Sequence, residues 1–253
     1  MSTTNKALVD FVLHIGDNNL ILGHRLSEWC SFGPFLEEDV AMSNIALDYL
    51  GQTRILYTYA GQLEGGRDED YYAYERREEE FTNALLTETK NGDFALTIAR
   101  QLYYSVFADL LLNGLLKSKD ATLAGYAAKA IKETAYHLRH AKDWTLRLGD
   151  GTEESHRRMQ DGLDELYMYT SDLFSTVEND KALVAAGIIP DVASLKKAWT
   201  DTVSAIVKEA TLKMPDAATW QMTGSRTNRH TENLGYILAE MQSVTRTYPG
   251  NKW

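Results

Sequence analysis

A chain of 253 residues, 44% hydrophobic and 25% charged, is long and apolar enough to bury the core of one large domain. Its formal net charge of −10 argues against nucleic acid or an anionic membrane as the main partner, because phosphate binding needs basic patches. A single cysteine, Cys30, excludes an intramolecular disulfide framework, and with neither an apolar leader nor a run of roughly 20 apolar residues in view, a cytoplasmic protein is expected.

Four prolines and long runs of Ala, Leu, Glu and Lys favour helix throughout. The first helix is predicted over about 6–29, with Phe11, Ile15, Asn18, Leu22 and Trp29 on one face, and the Ser31-Phe32-Gly33-Pro34 turn breaks it. A second, over about 36–63, carries Ala41, Ile45, Asp48, Gln52, Ile55 and Tyr59 in a three-four repeat and stops at Gly65-Gly66. Residues 67–92 read as short helices and loops. Asp93 can cap a third helix over about 94–117, with Ile98, Leu102, Ser105, Asp109, Leu112 and Leu116 inward. The cleanest periodicity follows, over about 120–148: Ala127, Ala130, Thr134, His137, Ala141 and Trp144. Thr152 and two glutamates start a helix over about 153–177; others are expected over about 191–212 and 231–246, and Trp253 is ordered only by docking. Residues 1–253 read as one all-α domain.

Four of these helices place small polar residues inside an apolar stripe: Asn18, Asp48, Ser105, and Thr134 with His137. Antiparallel bundles build sites from such inward positions, and a ferritin-like di-iron centre takes one carboxylate from each of two helices and Glu-x-x-His from each of the other two. Here Asp48-x-x-Gly51 and Thr134-x-x-His137 stand where the pairs would be, and Asn18 and Ser105 where the single carboxylates would be. One carboxylate and one imidazole cannot replace four carboxylates and two imidazoles, so no tightly bound di-iron centre is expected. The plain reading of Asp48 and His137 is a hydrogen-bonded pair in the core, joined by Asn18 or a buried water. A reduced metal site of Asp48, Glu133, His137 and His140 is the alternative, although Glu133 and His140 flank the stripe by helical phase. A third option is a ligand pocket lined by the aromatic stretch 71–81. His14 and His24 read as packing or surface residues, His156 as part of a solvated face, Arg76-Arg77 with Glu78-Glu79-Glu80 as an exposed charged segment, and Cys30 as packed beside Trp29.

The chain resembles the structural, non-catalytic subunit of the bacterial phenylacetyl-CoA 1,2-epoxidase (phenylacetate-CoA oxygenase), a multicomponent monooxygenase. The resemblance spans almost the whole chain. It rests on Gly16-Asp17-Asn18, Arg25-Leu26-Ser27-Glu28-Trp29-Cys30, the run from Asn44 to Gln52, Asn91-Gly92-Asp93-Phe94-Ala95, Thr97-Ile98-Ala99-Arg100-Gln101, Lys129-Ala130-Ile131-Lys132-Glu133 and Tyr136-His137-Leu138-Arg139. Toward the C-terminus it continues through His230-Thr231-Glu232, Leu234-Gly235, Glu240-Met241-Gln242, Pro249-Gly250 and Trp253. It implies a single ferritin-like long-helix bundle over 1–253, with additional C-terminal helices. It also implies a role in aerobic phenylacetate degradation: binding and stabilising a catalytic di-iron subunit of related fold, which holds the irons and binds the substrate, while a separate reductase supplies electrons. On this view the chain has no catalytic, cofactor or metal residues and no independent activity, self-association is a further option, and Asn18, Asp48, Gly51, Ser105, Thr134 and His137 are vestigial di-iron positions. Ser105 departs from an acidic residue in some relatives and Asn233 from a usual histidine. The alternative remains a self-sufficient ferritin-like oxygenase or iron protein using Asp48 and His137.

Overall fold

The computed structural model describes residues 3–251, and Trp253 lies outside them. Among the described residues there is no strand, and ten α-helices follow one another: α1 (Thr3–Ser27), α2 (Leu36–Glu64), α3 (Leu85–Glu88), α4 (Phe94–Leu115), α5 (Ala121–Gly149), α6 (Glu153–Tyr167), α7 (Asp180–Ala186), α8 (Leu195–Glu209), α9 (Glu232–Met241) and α10 (Ser243–Thr247). None is long and apolar enough to cross a membrane. Contacts gather into two compact units, Met1–Lys90 with Gly224–Trp253, and Asn91–Thr223.

Local chemistry explains most boundaries. Asp93, Asp120 and Thr152 each accept a backbone N–H of the first turn of the helix they precede, from Leu96, Leu123 and Ser155 respectively. Two expected helices are shorter than their patterns. α6 stops at Tyr167 rather than near 177, because Thr170–Phe174 tightens into a 3-10 turn that buries Leu173 and Phe174. The last helix breaks at Gln242, whose side-chain amide donates to the carbonyls of Ala73 and Arg76, both at 3.0 Å. Helix α7 has no counterpart among the helices expected from sequence.

In the unit Asn91–Thr223, α4 is buried on every face from Ala99 to Ala108 and forms the core. Tyr103, Phe107, Phe174 and Trp199 pack ring to ring, with centroids 5.4–5.7 Å apart for Tyr103–Trp199, Phe107–Phe174 and Phe174–Trp199. The polar atoms of this cluster are satisfied: the Trp199 indole N–H donates to Tyr103 O at 2.8 Å and the Tyr103 hydroxyl to Leu163 O at 3.0 Å. Helix α5 lays Leu123, Ala127, Ala130 and Ala141 inward, and Gly149 at its end lies so close to Ala210 that a methyl group there would overlap the Ala210 carbonyl.

In the other unit α1 and α2 form a hairpin whose centre is polar. Residues 14–23 of α1 are buried throughout. The Asp17 carboxylate, with no exposed surface, accepts from Arg76 Nη2 at 2.5 Å and Nη1 at 3.2 Å, from the Tyr57 hydroxyl at 2.6 Å, and from the Thr82 N–H at 2.9 Å. Arg76 also donates to the carbonyls of Tyr72 and Glu80 and stacks 4.1 Å from the centroid of the Phe81 ring. Gly16 makes room for this centre: a Cβ there would sit 2.6 Å from Cε1 of Tyr57. The expectation of an exposed Arg76 is therefore corrected. Arg77 and Glu79 do lie at the surface, but the guanidinium of Arg76 neutralises a carboxylate that has left water. Cys30 is likewise exposed rather than packed.

A second buried pair ties the C-terminal part to the same unit. The Glu88 carboxylate accepts from His230 Nδ1 at 3.1 Å, from the Thr231 N–H at 2.6 Å and from Asn83 Nδ2 at 3.2 Å. The other ring nitrogen of His230 meets the Phe81 carbonyl at 2.9 Å, so both nitrogens face acceptors. Burial opposes a charged ring, but the hydrogen bond and charge of Glu88, helped by the Phe81 carbonyl, outweigh it and raise the His230 pKa.

Replacing Arg76 with Leu leaves the Asp17 charge buried and unpaired and should lower the unfolding free energy by about 3–5 kcal/mol in urea denaturation. Because the folded pKa of His230 is raised, the stability from the Glu88 pair is fully present below the unfolded value of 6.5 and is lost as pH rises through the folded value. The melting-temperature gap between wild type and His230→Gln, followed from about pH 6 to about pH 9, should accordingly narrow as pH rises.

Candidate functional site

The six positions singled out by the sequence fall in two sets, Asn18, Asp48 and Gly51 in one unit and Ser105, Thr134 and His137 in the other. Asn18 is 1% exposed and both ends of its side-chain amide make contacts. Its carbonyl accepts the Ala84 N–H at 2.6 Å and its amide reaches His14 Nε2 at 3.5 Å. His14 donates from Nδ1 to the Thr82 carbonyl at 2.6 Å. Burial, then the charge of Arg226, lowers the His14 pKa against the opposing Thr82 bond, which fits a neutral ring with Nε2 free to accept. Asn18 is thus a clamp on the segment 82–84.

On α2 the buried line follows the expected one at Ala41, Ile45 and Gln52 and departs from it elsewhere. Met42, Ile45, Ala46, Tyr49, Gln52, Thr53, Leu56 and Tyr57 are buried, whereas Asp48, Ile55 and Tyr59 are half-buried and Gly51 is exposed. The helix is turned so that Thr53 donates to the Gly16 carbonyl at 3.3 Å and Gln52 accepts from Asn19 at 3.3 Å. Asp48 and Gly51 therefore sit at the edge and on the outside of the α1–α2 hairpin.

The second set is buried without exception: Ser105, Thr134 and His137 have no exposed surface. Glu133 and His140 are half-buried on the flanks of α5, as their phase predicts. Among the described residues Ser105 Oγ and Thr134 Oγ1 have no hydrogen-bond partner, and neither has the side-chain amide of Gln101, which is 1% exposed one turn before Ser105. Gln101 and Ser105 share a face of α4 with Phe94, whose ring meets Trp144 of α5 edge-on at 5.0 Å. Gln101 is not among the candidates that sequence reasoning finds. Its spacing of four from Ser105 on an apolar helix is the available signal.

This donor set does not fit a pair of iron ions. The Asn18 oxygen is committed to a backbone amide, Gly51 has no side chain, and Ser105 and Thr134 are neutral, so two ferric ions would face too little negative charge. Among the described residues no three His, Cys, Asp or Glu side chains gather into a group that could hold a metal ion.

Residues 1–253 match the family model described as phenylacetic acid catabolic protein. The chain belongs to that family. It is also similar to a subunit of the 1,2-phenylacetyl-CoA epoxidase of Escherichia coli (strain K12), with 45% identity over 246 residues that cover 97% of this chain and 99% of the relative. The all-α, ferritin-like fold is that of the family. Within it, His230-Thr231, part of the C-terminal signature, grips the buried Glu88 carboxylate.

Thr134→Val keeps the shape of the side chain and removes a hydroxyl that has no partner, so it should leave stability unchanged or raise it by about 1 kcal/mol. Thr134→Glu and Asn18→Glu each bury a carboxylate without a cation and should cost several kcal/mol, to the order of 3 or more. Chemical denaturation of the three variants side by side checks both directions.

Proposed function

We propose that this chain is the structural, non-catalytic subunit of a di-iron monooxygenase that epoxidises the ring of phenylacetyl-CoA in phenylacetate degradation. The observation that carries the reading is the 45% identity to the Escherichia coli epoxidase subunit over nearly all of both chains. Support comes from the donor set: where a ferritin-like centre needs buried carboxylates and imidazoles, the buried positions of the chain offer an engaged amide, two hydroxyls and one His137. The match of residues 1–253 to one family model supports reading both compact units as parts of one domain.

The physical role is that of a scaffold. A catalytic subunit of related fold binds the irons and the substrate, and this chain covers a face of it. Binding to the folded form of that subunit stabilises it by mass action. Neutral side chains at the former ligand positions avoid the cost of carboxylates buried without metal.

The test is reconstitution. Purified alone from iron-supplemented culture, the chain should carry no stoichiometric iron and should not turn over phenylacetyl-CoA. With the catalytic subunit it should form a complex that survives gel filtration, and with the reductase added that complex should form the epoxide. Stoichiometric iron in the chain alone, or full activity of the catalytic subunit without it, overturns the proposal.

A further inference from the structure

The outer face of α2 exposes large apolar side chains. Leu36, Val40 and Leu47 are 76%, 50% and 64% exposed, and Phe32 in the preceding turn is 76% exposed. At 100° per residue Leu36, Val40, Leu47 and Gly51 fall within about 60° of one another, so they form one stripe on a single side of the helix. Exposed apolar residues scattered singly are ordinary, but an aligned row of them marks an interaction surface.

Gly51 adds a separate observation. A glycine in mid-helix costs about 1 kcal/mol relative to alanine. A Cβ at Gly51 would meet nothing within 4 Å among the described residues, so no packing among them calls for a glycine there. A missing side chain on an exposed, apolar helix face suits close approach by the backbone of another helix. The charges give the sign of the partner. The exposed helix carries Glu37, Asp39 and Asp48 beside the stripe, and Arg54, which falls on the line of Leu36, has its guanidinium paired with Glu69 at 3.2 Å, so the face stays acidic on balance. Glu37 and Asp48 fall on one edge of the stripe and Asp39 on the other. Two copies of this face would set acidic edge against acidic edge on chains of net charge −10, which disfavours self-association.

We propose that the stripe Phe32–Leu36–Val40–Leu47–Gly51 is the docking face for a helix of the catalytic subunit. That helix crosses close to Gly51 and carries apolar residues along its line of contact and lysine or arginine on its flanks. The inference rests on the structural-subunit reading and adds the surface through which it operates.

The experiment measures the affinity of the full chain for the purified catalytic subunit by titration calorimetry, together with the melting temperature of each variant alone. Gly51→Leu fills open space and Leu47→Arg alters an exposed side chain, so neither should lower the melting temperature of the isolated chain. Each should weaken the complex at least tenfold. Glu37→Lys should weaken it less, with the loss growing at low salt. If wild-type chain and catalytic subunit do not associate, the structural-subunit reading itself fails. If they associate and the Gly51 and Leu47 variants bind as well as wild type, that reading stands and the docking face is wrong. If the isolated chain is instead a dimer that Gly51→Leu dissociates, the stripe belongs to a second copy and the proposal is likewise overturned.

Discussion

A carboxylate cannot be taken wholly out of water unless every lone pair finds a donor and its charge finds a counterpart, and the N-terminal hairpin is arranged around meeting that demand at Asp17. The donors come from three places in the chain: Tyr57 on α2, Arg76 after the π-helical turn Tyr71–Glu75, and Thr82 beyond it. None of them can satisfy Asp17 unless the hairpin is closed and the segment 76–84 is laid across it. Asn18 and His14, one residue and one turn away, then fix the same segment through Ala84 and Thr82. The Glu88–His230 pair extends the arrangement to the C-terminal helices. Irregular backbone between residues 65 and 92 is thus held by buried side chains rather than by its own ladder of hydrogen bonds.

This centre also explains what can and cannot be read in the chain. Helix α5 is legible in detail because one face meets the core and the opposite face meets water, so its buried positions repeat at 3.6 residues. Asp93 and Thr152 are legible because capping is local chemistry. On α2 the apolar residues run nearly all the way round, so the pattern does not fix the rotation, and it places Asp48 inward when the residue lies at an edge. Arg76 is misleading because a basic residue next to Arg77 and three glutamates has the pattern of a solvated segment, and its partner stands 59 residues away. The break at Gln242 depends on the carbonyls of Ala73 and Arg76, which no window around residue 242 contains.

The candidate site shows the same division. That Ser105, Thr134 and His137 are inward follows from helical phase. What each side chain does there does not. Asn18 stands where an iron ligand would be expected, yet its amide is a structural clamp, and the hydroxyls of Ser105 and Thr134 and the amide of Gln101 are buried with no hydrogen-bond partner among the described residues. A buried amide or hydroxyl without a partner costs far less than a buried carboxylate without a cation, so a helix core can keep such residues where it could not keep glutamates.

The division of contacts bears on the order in which the protein is made. The unit Asn91–Thr223 is one continuous stretch, whereas the other is assembled from the first 90 residues and the last 30. A ribosome delivers residues from the N-terminus, so α1 and α2 emerge long before His230 and Gln242 exist to complete their surroundings. The inserted stretch can close its aromatic core while the tail is still being translated, and the earlier hairpin stands waiting with Glu88 uncapped. Residues made after the inserted stretch, rather than before it, therefore complete the surroundings of the N-terminal hairpin.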